Sequence, residues 1–244
     1  MTRTSILILF ITVSYFASGQ DKDPKVKTVA RPNIPGSFIV DFGFNQPIME
    51  PQDFELDFWG SRTANLYYQY SFRLGRSHFS INPAIGLSME RFKFDNAYML
   101  YDPAEISAAL RVEHYTMVPS SNFYPEVKKV MLIANYLEMP LELRFDTKPE
   151  DIARSFNFAL GGRIGILFDS DQKVKYREDE QWKKAKNKED WGLSFLRYGV
   201  YTRIGIGGFN LFGFYNLSPL FEPNMGPGNT TMNTYTFGIS VNGF

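Results

Sequence analysis

The sequence predicts an all-β protein, an eight-stranded antiparallel transmembrane up-and-down β-barrel with short periplasmic turns and long extracellular loops. Three observations carry this expectation. Eight segments alternate apolar and polar residues with period two, which marks strands with one apolar face. The connections between them are alternately short and long, as in outer-membrane barrels. The polar positions hold glycine, alanine, asparagine and paired-looking charges, where a hydrated sheet face carries lysine, glutamate, threonine and serine.

Taken in order, the chain begins with Arg3 ahead of an apolar run from Ile6 to Ala17 and small residues before Gln20, the pattern of a secretory signal over residues 1–19. That run is too short for a typical membrane-spanning helix, and no later run is long enough. Residues 20–37 are polar, with Pro24, Pro32 and Pro35, and read as a periplasmic leader. The barrel domain is then expected over residues 38–244.

The first strand sets Phe38, Val40, Phe42 and Phe44 against Ile39, Asp41, Gly43 and Asn45. The second sets Leu66, Tyr68, Tyr70, Phe72 and Leu74 against Asn65, Tyr67, Gln69, Ser71 and Arg73, and the third runs through Phe79, Ile81, Ile85, Leu87 and Met89 to Glu90. The fourth opposes Leu137, Met139, Leu141, Leu143 and Phe145 to Glu138, Glu142 and Arg144. In the fifth, Phe156, Phe158, Leu160, Ile164, Ile166 and Phe168 oppose Gly161, Arg163 and Gly165. The sixth opposes Leu196, Tyr198, Val200, Ile204 and Ile206 to Arg197, Gly199, Tyr201, Arg203 and Gly205. The seventh, Phe209 to Leu217, is irregular, because Phe212 and Phe214 fall on the side of Asn210 and Asn216. The last carries Tyr235, Phe237, Ile239 and Val241 on its apolar side. Each segment reaches the roughly 9–11 residues that a tilted strand needs to cross a bilayer.

Large apolar side chains facing lipid leave the opposite positions to fill a narrow interior. Asp41, Arg73, Glu90, Glu138, Glu142, Arg144, Arg163, Arg197 and Arg203 are therefore expected as a lumen charge network, since an unpaired charge there is costly. Gly43, Gly86, Gly161, Gly165, Gly199 and Gly205 leave room for larger neighbours. An eight-stranded barrel has space for side chains but no open water channel. Trp59, Tyr98 and Trp191 at the long-loop ends, with Phe79, Phe156 and Phe209 after the short turns, suit two aromatic belts.

The short connections are Gly75–His78, Thr147–Ser155 and the Gly207–Gly208 pair. The long ones are Met49–Ser61, Lys93–Val130, Ser170–Leu193 and Ser218–Met232. Within the second long loop, Asp102, Pro103 and Glu105 have capping-box spacing ahead of Ile106 and Leu110, which predicts a short helix that lids the barrel or docks a partner. The third is heavily charged with both signs and holds Trp182 and Trp191. It reads as solvated surface or as a contact for lipopolysaccharide phosphates. In the fourth, Leu220, Phe221 and Met225 are exposed unless they pack on another loop or a partner.

The 26 basic and 26 acidic residues balance, so nothing points to nucleic acid. There is no cysteine, hence no disulfide and no thiolate metal site or nucleophile. His78 and His114 fall at opposite ends of the barrel, which leaves no base for a Ser-His-Asp arrangement. No phosphate loop, nucleotide fingerprint or metal-ligand cluster is present, so an enzyme, a cofactor and a metal are not expected.

The stretches "INPAIGLSMERFKF", "NYLEMPLELRF", "FNFALGGRIGILF", "FNLFGFYNLSPLF" and "YTFGISVNGF" resemble the Bacteroidota outer-membrane beta-barrel family, the PorT-like proteins, from Phe38 to Phe244. The resemblance implies an outer-membrane location and a non-enzymatic part in a complex with other outer-membrane or periplasmic proteins, in secretion or barrel assembly. It also implies a C-terminal insertion signal of Tyr235, Phe237, Ile239, Val241 and Phe244, although Phe244 is out of phase with the other four. The alternatives are a narrow porin-type channel and a surface barrel that binds an external ligand through its loops.

Overall fold

A computed structural model describes residues 36–51, 53–101 and 115–243. The expected signal peptide, nearly all of the leader, the helix bearing Ile106 and Leu110, His114 and Phe244 lie outside the described residues. The described residues form twelve strands: β1 (Ser37–Ile48), β2 (Arg62–Gln69), β3 (Phe72–Arg73), β4 (Phe79–Phe94), β5 (Tyr98–Tyr101), β6 (Thr116–Pro119), β7 (Val127–Asp146), β8 (Phe156–Glu178), β9 (Gln181–Asn187), β10 (Leu196–Ile206), β11 (Phe209–Asn216) and β12 (Asn233–Asn242).

Eight of them close an antiparallel ring. Each of β1, β2, β4, β7, β8, β10, β11 and β12 pairs with the next, and β12 returns to β1. Closure leaves no free edge inside an apolar solvent, the condition a strand protein must meet to span lipid. The fold class expected from the sequence is the one observed. Phe158, Ile164 and Leu141 point outward and are exposed, while Arg163 and Glu142 point inward and are buried.

At the long-loop end the strands run on past the apolar band. The Ser170–Leu193 connection is not a loop, because β8 continues to Glu178 and turns into β9, forming a hairpin arm. One edge of β8 pairs with β10 through Ile166 and with β9 from Gln172 onward. The Lys93–Val130 connection likewise holds a small β5–β6 hairpin. Gln172 ties it down, accepting from Leu100 N–H at 2.8 Å and donating to Leu100 C=O at 2.9 Å.

The inward faces of these strand extensions carry the hydrophobic core. Phe92, Phe94, Val130, Leu132, Tyr136 and Val174 from the barrel meet Phe54, Leu100, Trp191, Leu193, Leu220, Phe221 and Met232 from the loops. Trp191, a candidate surface contact, is buried here, and Leu220 and Phe221 take the alternative of packing on other loops, with Met225 half-buried beside them. Trp191 is therefore a plug residue and not a belt residue. The loops cover the apolar upper lumen and keep water out of it.

Candidate functional site: the sealed lumen

Below the apolar plug the lumen turns polar over a few residues, following strand parity. Glu90 on β4, Glu138 and Glu142 on β7, Arg163 on β8, Arg197 and Arg203 on β10, and Asp41 on β1 all occupy inward positions and are buried. They divide into two clusters.

The upper cluster joins two carboxylates and two guanidinium groups. Arg197 lies 2.8 Å from Glu90 and 3.1 Å from Glu138, while Arg163 lies 3.3 Å from Glu138. Tyr67 donates to Glu138 at 2.5 Å and accepts from Arg163 at 2.7 Å. The Phe214 ring sits under both cations, 3.3 Å from the Arg163 guanidinium carbon and 5.1 Å from that of Arg197. A ring face attracts a desolvated cation electrostatically, so Phe214 supports charges that have left water.

The lower cluster sets two carboxylates on one arginine. Arg203 holds Asp41 at 3.0 Å through Nη2 and Glu142 at 2.7 Å through Nη1, a use of the rigid fork that lysine could not reproduce. Tyr201 and Asn82 donate to Glu142 at 3.1 and 3.2 Å, and Asn65 donates to Asp41 at 3.4 Å. The gap bounded by Asp41, Tyr67, Arg163, Tyr201, Arg203 and Phe212 is too small to admit a water molecule.

Two expected members stand elsewhere. Arg73 is exposed at the short-turn lip and pairs with Glu150 at 2.9 Å, since β3 is only two residues long and lies past the barrel wall. Arg144 is buried but pairs locally with Asp146 at 3.0 Å. His78 contacts the Asp146 backbone oxygen through Nδ1 at 2.8 Å, at that same mouth.

Strand parity put Tyr67, Tyr201, Phe212 and Phe214 on the inward side, but sequence reasoning gave these rings no part in the charge network. Tyr67, Tyr136, Tyr201, Phe212 and Phe214 are all buried inside the barrel. The signal was available in the inward glycines. A Cβ on Gly86 would come within 2.8 Å of the Tyr67 ring, one on Gly161 within 2.8 Å of Tyr201, and one on Gly199 within 2.7 Å of Phe214. Each of these three glycines thus lies against a large ring.

Of the remaining expected contacts, Trp182 is half exposed on the arm, between Lys128 and Lys175 at 5.0 and 5.2 Å. Tyr235, Phe237 and Ile239 face outward, and Val241 is half-buried. Among the described residues, no three His, Asp or Glu side chains are placed to hold a metal ion.

The model of the outer membrane protein beta-barrel domain matches residues 35–222. Among solved structures the chain is similar to Ail, the attachment invasion locus protein of Yersinia pestis, solved with the heparin analogue sucrose octasulfate. That alignment has 16% identity and a TM-score of 0.33, over 86% of this chain and 100% of that one. A mutant of the Rh. blastica porin aligns at 9% identity with a TM-score of 0.20, over 85% of this chain and 99% of that one. No curated protein matches the sequence.

Proposed function

Because the chain belongs to the outer membrane protein beta-barrel family, and so lies in the outer membrane, we propose that it is a non-enzymatic scaffold or accessory subunit of an envelope complex, serving secretion or outer-membrane protein assembly. The observation that carries this reading is the sealed lumen. Both clusters are packed with side chains, and the apolar plug closes the end above them. A barrel with no path through it acts through its surfaces. The buried lumen carboxylates are occupied by arginine and His78 by a backbone oxygen, which leaves no free acid–base pair among the described lumen residues.

In this reading the short turns and both termini are periplasmic, a signal peptide directs export, and the long loops face outward. The PorT-like resemblance of the Bacteroidota is part of the same proposal. Co-purification from native membranes in mild detergent, without crosslinker, tests it: a stoichiometric protein partner is expected. A chain that elutes alone from every detergent tried would overturn the scaffold role.

A second reading, a surface barrel that binds an external ligand, is favoured by one cavity. It measures about 430 Å³ at the long-loop end, and Tyr101, Phe123, Tyr124, Gln172, Lys186 and Trp191 line it.

A further inference from the structure

The outward face of the barrel changes character abruptly toward the long-loop end. Leu66, Leu87, Leu137 and Ile166 are neighbours along one row of the register, and the next outward row includes Ala64 and Met89. The row above that places Arg62 directly opposite Arg91. Higher still, Lys93, Met131, Lys173 and Lys186 form one row, and Lys129, Lys175 and Lys184 another. Successive outward rows are about 7 Å apart, so apolar wall gives way to cationic wall within the depth of a lipid headgroup.

Like charges directly opposite in a ladder are destabilising, yet four such pairs occur here: Arg62 with Arg91, Lys129 with Lys175, Lys175 with Lys184, and Lys173 with Lys186. The acids present engage only one of these pairs, Lys173 with Lys186. Asp57 pairs with Lys93, and buried Asp171 is shared by Lys173 and Lys186 at 3.4 and 3.2 Å. Among the described residues, Arg62, Arg91, Lys129, Lys175 and Lys184 form no ion pair. Asp95 and Glu55 on the adjoining segment engage none of them. Two exposed indoles flank the patch, Trp59 beside Arg62, which donates to its carbonyl at 2.6 Å, and Trp182 over Lys175. Tryptophan favours the headgroup level.

We infer that this face, built from Arg62, Arg91, Lys129, Lys175 and Lys184, binds the phosphate groups of phosphorylated lipid headgroups in the leaflet on the long-loop side. The assignment rests on the orientation proposed above, which makes that leaflet the outer one and its lipid a phosphorylated glycolipid. The ligand supplies the anions that the ladder lacks, and the hairpin arm carries the site beyond the bilayer surface. Phosphates bridging opposed cations within a row relieve the cross-strand repulsion that the protein leaves uncompensated.

The test uses the purified full chain in detergent, titrated with lipopolysaccharide, with the same lipid stripped of its phosphates, and with inorganic phosphate. Wild type should retain the phosphorylated lipid, lose at least about tenfold in affinity when its phosphates are removed, and bind inorganic phosphate only weakly. The triple variant R91Q/K175Q/K184Q should show a similar loss and a shallower salt dependence. Its heat-modifiable gel mobility should stay that of the closed barrel. K175R alone keeps the positive charge and should retain wild-type affinity. Equal retention of both lipid forms by wild type, or wild-type affinity in a folded triple variant, overturns the inference. Retention of an acidic protein in place of lipid through the same residues overturns it too. Lipid binding is read on the isolated protein, so a missing protein partner would defeat the scaffold role without touching this result.

Discussion

Arg203 illustrates how much one side chain controls in a sealed barrel. It alone neutralises Asp41 and Glu142, both buried. Arg203→Met leaves two desolvated carboxylates facing each other, and unfolding by urea from lipid vesicles should show a loss of about 3–5 kcal/mol. Asp41→Asn keeps an acceptor for Nη2 and removes one of two negative charges on a single cation. Its cost should stay within about 1 kcal/mol. Arg73→Gln, at an exposed pair with Glu150, should change stability by less than about 1 kcal/mol and serves as the control. Outside the membrane band, the hydrogen bond from Lys93 holds the Asp57 carboxyl below its ordinary value of 3.8, helped by the Gly60 amide. A depressed folded value means that this contact stabilises the loop above pH 3.8 and is lost as pH falls through the folded value. Hydrogen exchange at the Gly60 amide should accelerate across that acid step beyond its intrinsic pH dependence, and Asp57→Asn should abolish the step.

At the scale of elements, the β8–β9 arm turns at two residues with left-handed backbone, Asp179 (φ 50°) and Glu180 (φ 59°). Two-residue hairpins with both central residues at positive φ favour Asn-Gly or Asp-Gly, because a side chain on the second residue is strained there. Glu180→Gly completes an Asp-Gly pair and should stabilise the arm by about 1 kcal/mol. Slower amide exchange over β9, with an unchanged barrel, is the expected result. The opposite case is Gly86, whose added Cβ would lie 2.0 Å from the Leu66 carbonyl oxygen. There the glycine is required by the approach of two strands around Tyr67.

For the whole molecule, the decisive property is closure from within. The apolar plug and the two charge clusters succeed each other along the lumen, and both are made of side chains from facing strands and loops. Reconstituted in a planar bilayer, the protein should give no step conductance comparable to an open porin. Regular porin-sized steps from a folded sample would show that the lumen opens, and would return the narrow-channel reading to first place.

Residues within single strands were legible in advance because strand parity is local: Glu138, Glu142, Arg163, Arg197 and Arg203 could be placed inside by counting in twos. The same counting, backed by alternating connection lengths, determined the closed eight-stranded ring and its apolar exterior. What only the tertiary structure decided is what meets across the lumen. Which carboxylate Arg197 reaches, the Phe214 ring beneath two guanidinium groups, the departure of Arg73 from the network, and the burial of Trp191, Leu220 and Phe221 all depend on strands and loops distant in sequence. The arm escaped prediction for a related reason. Its outward lysines hide the alternation, so β9 reads as a solvated charge run until β8 is seen to pair with it. Periodicity reports the direction of a side chain from its own strand, whereas its partner is set by register and shear between strands, which no local pattern encodes.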